Sequence, residues 1–111
     1  MKIAIIGSRA ITKVDISKYI PKDTTEIVSG GAKGIDTLAR EYALSHGIKL
    51  TEFFPDYKRY GKGAPFKRNL QIIEYADHVI AFWDGNSKGT EYVINECKKI
   101  NKPIDIVLIG G

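Results

Sequence analysis

Residues 2–6 and 26–28 are apolar, β-branched stretches that each end at a glycine turn. An unbroken apolar run of that length is the pattern of a strand buried on both faces, so both read as interior strands of a parallel sheet. Between residues 33 and 46 the period changes. Ile35, Leu38, Ala39, Tyr42 and Ala43 fall at i, i+3, i+4, i+7 and i+8, which predicts an amphipathic helix with Gly47 as its stop. Residues 48–54 alternate and break at Pro55, which predicts a less buried strand at the sheet edge. The stretch 55–65 (Pro-Asp-Tyr-Lys-Arg-Tyr-Gly-Lys-Gly-Ala-Pro) is expected to be a long irregular flap. Phe66, Leu70 and Ile73 then space a helix to about residue 76, followed by a strand over 78–83, a helix over 88–100 and a last strand over 104–109. With a short helix between the first two strands, the order alternates strand and helix throughout. That alternation predicts an α/β, Rossmann-like three-layer sandwich with a parallel five-stranded sheet in the order 3-2-1-4-5.

At 111 residues the chain is expected to form one domain, 1–111, around one core. Its hydrophobic share of 43% and charged share of 27% are ordinary for a globular protein, and no apolar run approaches membrane-spanning length. Met1-Lys2 leads directly into a strand with no signal-like segment, so a cytoplasmic location is expected. Cys97 is the only cysteine; no disulfide, metal site or resident cofactor is implied, and Cys97 reads as a buried helix residue. The net charge of +4 is unevenly spread: Lys58, Arg59, Lys62, Lys67 and Arg68 put five cations into eleven residues without an acid. Such a segment favours anionic partners without choosing between a nucleotide and a polymer.

Three glycine-bearing turns follow predicted strands: Gly7-Ser8-Arg9, Ser29-Gly30-Gly31-Ala32-Lys33-Gly34-Ile35-Asp36, and Asp84-Gly85-Asn86-Ser87-Lys88-Gly89-Thr90. In an open parallel sheet, ligands sit beyond the carboxyl ends of the strands, where helix N-termini favour an anion and glycine admits close backbone approach. The switch point is expected between the first and fourth strands. Glycines alone could serve only tight connections. Lys33 and Lys88, however, stand in first helical turns, where a cation opposes the macrodipole unless an anion is bound. Asp36 suits either a dipole partner or an acceptor for a ribose hydroxyl. Ser87 reads as an N-cap that leaves other amides and the Thr90 hydroxyl for a ligand. Arg9 could clamp a phosphate, and Arg68 and Asn69 open a helix where structural preference favours acids. Asp84 could bind ribose, act as a base, or start a turn with Gly85. Tyr57 and Tyr60 could stack on a base or pin their loop. Trp83 reads as core, and His46 and His78 as structural.

These landmarks, with Phe54-Pro55-Asp56-Tyr57, Tyr60-Gly61-Lys62, Ala76-Asp77 and Phe82-Trp83 between them, resemble the SLOG superfamily, specifically its small YspA- and YpsA-related branch. The likeness spans residues 3 to 103. It implies a Rossmann-like domain for nucleotide-derived ligands, commonly dimeric; relatives include cytokinin-activating phosphoribohydrolases, the DNA-uptake protein DprA, and immune sensor domains for cyclic ADP-ribose isomers. The hydrolytic relatives carry Pro-Gly-Gly-x-Gly-Thr-x-x-Glu. Here Gly89-Thr90 and Arg68 fit that pattern, but Val93 occupies the position of the glutamate, and Glu91 lies about 200° away around a helix. The resemblance therefore points to binding an ADP-ribose-like or cyclic ligand for sensing or sequestration. Hydrolysis of an N-glycosidic or phosphate bond, and single-stranded DNA binding through the 58–68 segment, are the alternatives.

Overall fold

The computed structural model describes residues 1–109; the last two positions of the expected domain, 110 and 111, lie outside the described residues. Five parallel strands form one sheet in the order β3-β2-β1-β4-β5, as the alternation predicted. They are β1 (Lys2–Gly7), β2 (Glu26–Ser29), β3 (Lys49–Glu52), β4 (His78–Trp83) and β5 (Ile104–Leu108). A short 3-10 turn, Ile16–Tyr19, links β1 to β2, and the helices are α1 (Ile35–Ser45), α2 (Tyr57–Tyr60), α3 (Ala64–Tyr75) and α4 (Lys88–Lys99).

The two-residue period of each inner strand divides the core between the faces of the sheet. Ile3, Ile5, Ile27, Ile80 and Phe82 pack with α1 and the 3-10 turn on one face. Ala4, Ile6, Val28, Val79 and Ala81 pack with Ile72, Ile73, Val93, Ile94 and Cys97 of α3 and α4 on the other. Cys97 is buried, as read from the sequence, and burial pushes its thiol up to about 11. The outer strands are less enclosed: β3 has no fully buried residue, and on β5 Ile106 and Leu108 face solvent. Arg40 on α1 ties down the β3 edge through Nη2 to Glu52 at 2.8 Å.

The expected flap is not a loop. Residues 57–60 form a helical turn, 61–63 a 3-10 turn, and α3 begins at Ala64, leaving only residues 53–56 irregular before them. The local chemistry explains the difference. The Asp56 carboxylate accepts the Arg59 N–H at 3.2 Å and caps α2, Gly61 ends it at φ +56°, and Pro65 fits the first turn of α3. Glycine and proline here punctuate short helices. Asn101 (φ +58°) and Lys102, whose N–H bonds Cys97 O, close α4.

The other residues read as structural behave so. The His46 ring stacks on Tyr42 with centroids 4.0 Å apart, and Nδ1 lies 2.9 Å from the Tyr42 carbonyl at the end of α1. His78 Nε2 lies 3.0 Å from Asp105 Oδ2, joining β4 to β5. Trp83 is half-buried against the core and donates Nε1–H to Ser87 O at 3.0 Å. No helix among the described residues is long and apolar enough to cross a membrane, and no cluster of His, Cys, Asp or Glu there could hold a metal.

Candidate functional site

At the carboxyl ends of β1, β2 and β4 lies a crevice of about 340 Å³. Its polar wall includes Gly7, Arg9, Gly30, Asp36, Arg68, Asn69, Ser87, Gly89 and Thr90, all singled out in the sequence. Ile6, Ala32, Pro65, Phe66, Ile72 and Val93 complete the lining and were not read as ligand contacts, although Ala32 lies in the second turn and Val93 at the position of the hydrolases' glutamate. The apolar ones read as core or connection, because periodicity says which face of an element is apolar but not where a core opens into a cavity. The crevice straddles the switch point, where Gly7 is in register with Phe82.

Ser8, Ser29, Gly31, Lys33, Gly34, Asp84, Gly85 and Lys88 do not line it. Lys33 and Lys88 are exposed on the surface. The Ser8 N–H bonds Phe82 O at 3.2 Å, and its buried hydroxyl has no normal hydrogen bond among the described residues. Asp84 Oδ1 accepts the N–H groups of Asn86 and Ser87, both at 2.8 Å, and these bonds hold its carboxyl below the usual 3.8. Of the three roles open to Asp84, the turn is the one its contacts support; with Gly85 at φ +83° it builds the bend before α4.

Several site glycines are set by packing. A Cβ on Gly7 would lie 2.5 Å from Ile35 Cγ1, one on Gly30 2.5 Å from Arg68 Nη1, and one on Gly34 2.5 Å from the Arg9 carbonyl oxygen. The first two turns therefore interlock, backbone against backbone. Gly31 (φ +68°) packs under the Phe54 ring. Gly89 differs: its φ is not positive and a Cβ there would meet nothing within 4 Å. Nothing in the fold asks for glycine at this point of the crevice wall, where it costs helix stability.

Gly89 is the second residue of α4. Ser87 caps that helix, its Oγ accepting the Thr90 N–H at 3.4 Å and its carbonyl the Glu91 N–H at 3.1 Å. The Lys88 and Gly89 N–H groups make no protein hydrogen bond among the described residues and stand at the positive end of the macrodipole.

Across the crevice, Arg68 and Asp36 flank Gly30. Arg68, 8% exposed, donates Nη1–H to Gly30 O at 2.7 Å and Nε–H to Asn69 Oδ1 at 2.8 Å. Its Nη2 has no protein partner among the described residues. Burial draws the guanidinium down from its ordinary 12.5 and Asp36 opposes that draw, while exposed Arg9 adds to it. Asp36 is also 8% exposed. Its Oδ2 accepts the Ala32 N–H at 3.0 Å; burial raises its carboxyl above 3.8 against that bond, the pull of Arg68 and the nearby Ser29 hydroxyl.

Four of the five clustered cations, Lys58, Arg59, Lys62 and Lys67, are exposed, whereas Arg68 turns into the crevice. Arg59 and Lys67 lie 5.4 and 5.7 Å from the Tyr60 ring centroid, so cations already occupy that ring, while Tyr57 is 58% exposed. Phe66 at the crevice packs edge-on against Tyr92.

A five-stranded 3-2-1-4-5 sheet with a crevice at its switch point defines the class of open α/β domains that take ligands beyond their strand ends. Residues 1–60 match the model of the YspA, cpYpsA-related SLOG family, and the chain belongs to that family. It is similar to the Gene 61 protein of Mycobacterium phage D29, at 32% identity over 70% of this chain and 67% of that protein. No solved structure matches it.

Proposed function

We propose that the crevice binds a nucleotide-derived small molecule, ADP-ribose-like or cyclic ADP-ribose-like, for sensing or sequestration. One observation carries this reading: a single cavity joins the uncapped amides of α4 at an unhindered Gly89 to Arg9 and Arg68 and to a floor of Ile6, Ile72 and Val93. Anion, polar sugar and flat apolar base each find a complementary wall. The volume of about 340 Å³ lies at the small end of ligand pockets, roughly 300–1,000 Å³. It suits one enclosed nucleotide unit, with any further phosphate or sugar lying outward toward Arg9. Membership of the SLOG family and a phage-encoded relative are in keeping with a ligand-holding role.

Turnover is the weaker reading. Val93 contributes a hydrocarbon wall, Asp84 is engaged in its turn, and exposed Glu91 does not line the cavity, which leaves Asp36 as the carboxylate that does. The test is thermal stabilisation by AMP, ADP, ATP, ADP-ribose, NAD, cyclic ADP-ribose isomers and a short single strand, with chromatography of each stabilising ligand after incubation. At 100 Kd a ligand should add about 2.7 kcal/mol. Recovery of the intact nucleotide supports the proposal. Recovery of a cleaved base or phosphate makes the protein a hydrolase, and a shift with the strand alone moves the site to the exposed 58–67 cations. The homodimer or larger assembly that the resemblance implies is part of this proposal, and light scattering with and without ligand reads it.

A further inference from the structure

Of the three charged side chains that line the crevice, Arg9, Asp36 and Arg68, Asp36 is the acceptor. One of its oxygens has a local task, holding the Ala32 N–H at 3.0 Å and so shaping the turn before α1. The nearby Ser29 hydroxyl also bears on the carboxyl, which still leaves acceptor capacity at Oδ1 on a residue that is 8% exposed. The guanidinium opposite is divided in the same way. Arg68 Nη1 and Nε hold Gly30 O and Asn69 Oδ1, which leaves Nη2 unspent. Asp36 and Arg68 do not form a direct ion pair within 4 Å; both instead border Gly30, where an added Cβ would lie 2.5 Å from Arg68 Nη1 and 3.1 Å from Asp36 Oδ2.

A carboxylate and a guanidinium that flank Gly30, each largely buried as a residue and each lining one small cavity, form an acceptor–donor pair. Bare phosphate would satisfy the guanidinium but repel the carboxylate. A group that donates one hydrogen bond and accepts another satisfies both, and two adjacent hydroxyls on a sugar ring do so. Asn69, whose Oδ1 is taken by Arg68, also lines the cavity, and its amide NH2 makes no hydrogen bond among the described residues.

Resting on the nucleotide reading above, we infer that Asp36 Oδ1 and Arg68 Nη2 grip the vicinal diol of one enclosed nucleoside 5′-monophosphate unit and select ribose over deoxyribose. Each group meets one hydroxyl of the diol and loses that partner when the hydroxyl is missing. A 2′-deoxy unit should therefore bind about 10- to 100-fold more weakly than its ribo counterpart. The same selection disfavours DNA as an occupant of the crevice.

The test is calorimetric titration of the wild-type chain with AMP, 2′-deoxy-AMP and 3′-deoxy-AMP, and of Asp36→Asn with the same three. The expected result is a preference of at least tenfold for AMP that collapses toward parity in Asp36→Asn, whose amide oxygen can still accept the Ala32 N–H. Equal binding of AMP and its deoxy forms by the wild type overturns the inference without any mutant. So does a preference that survives in Asp36→Asn. AMP left unbound by a chain that binds ADP-ribose overturns the inference and spares the wider reading, whereas a chain that binds no nucleotide at all sinks both.

Discussion

Gly89→Ala should make the ligand-free protein more stable and a worse binder. Gly89 sits in the first turn of α4 with a φ that any residue adopts, and an added Cβ meets nothing within 4 Å. Removing glycine's unfolded-state freedom from such a position is worth roughly 0.5–1 kcal/mol, the lower figure fitting a first turn. In a domain this size that corresponds to a rise of roughly 2–6 °C in melting temperature. The methyl group would stand on the crevice wall beside the free Lys88 and Gly89 amides, where an anion must approach. Affinity for the stabilising nucleotide should fall by about tenfold, or 1.4 kcal/mol. Thermal scans with and without ligand read both effects in one experiment, and the two curves should cross. A lower melting temperature for the ligand-free variant would mean that the fold itself requires this glycine. An unchanged affinity would mean that no ligand group touches this part of α4, and the phosphate assignment would be lost.

Gly30→Ala should behave oppositely, with cooperative unfolding at a markedly lower denaturant midpoint, because its Cβ would displace Arg68 from the Gly30 and Phe53 carbonyls; overpacking of this kind costs about 1–3 kcal/mol. Asp36→Asn should raise the ligand-free melting temperature at neutral pH. Burial lifts the native Asp36 carboxyl above its unfolded 3.8, so the native state holds the extra proton between those values and the ionised group opposes folding above them; the wild type should regain that stability on acidification and the variant should not. Glu26 has the reverse sign. Burial alone would raise it, yet bonds from Thr51 Oγ1 at 2.6 Å and Tyr75 Oη at 2.5 Å, with Lys49 and Lys2, bring it below 4.5. Its contribution is complete above pH 4.5 and lost as pH falls through the lower native value, so Thr51→Val should flatten the acid limb of a pH–stability profile. Neutralising Lys58, Arg59 and Lys62 together should leave nucleotide affinity within about twofold while abolishing any salt-dependent retention of a single strand; a large loss of nucleotide binding would place the ligand over α2 instead.

The sheet order was legible because the runs 3–6, 27–28 and 79–83 are wholly apolar, and such strands have few ways to be buried. The 55–65 segment was misread for a chemical reason: the residues that mark loops, Asp56, Gly61 and Pro65, are also those that cap, stop and start helices, and spacing alone does not separate the two uses. The motif glycines pointed to the end of the sheet where the crevice lies. Which of them are forced by packing depends on distant neighbours, such as Arg68 over Gly30 and Arg9 under Gly34, that no local pattern reveals. Phe66 was hidden by its helical periodicity, Val93 was seen only as the residue in the glutamate's place, and Lys33 and Lys88, prominent in the sequence, are exposed and outside the cavity lining.

The interlocked first and second turns divide the crevice into a part that cannot drift and a part that can. At Gly7 and Gly34 an added side chain would collide with Ile35 and with the Phe82 and Arg9 backbone, and at Gly30 it would displace the ends of Arg68 and Asp36, so the packing of the fold fixes that wall. The opposite wall, made by Phe66 of α3 and by Gly89 and Val93 of α4, carries no such constraint at Gly89 and little at half-exposed Phe66. A substitution at Gly89 would therefore reshape one side of the crevice while the packed side stays in place, so the proposed ligand preference could be altered there without first acquiring spare stability.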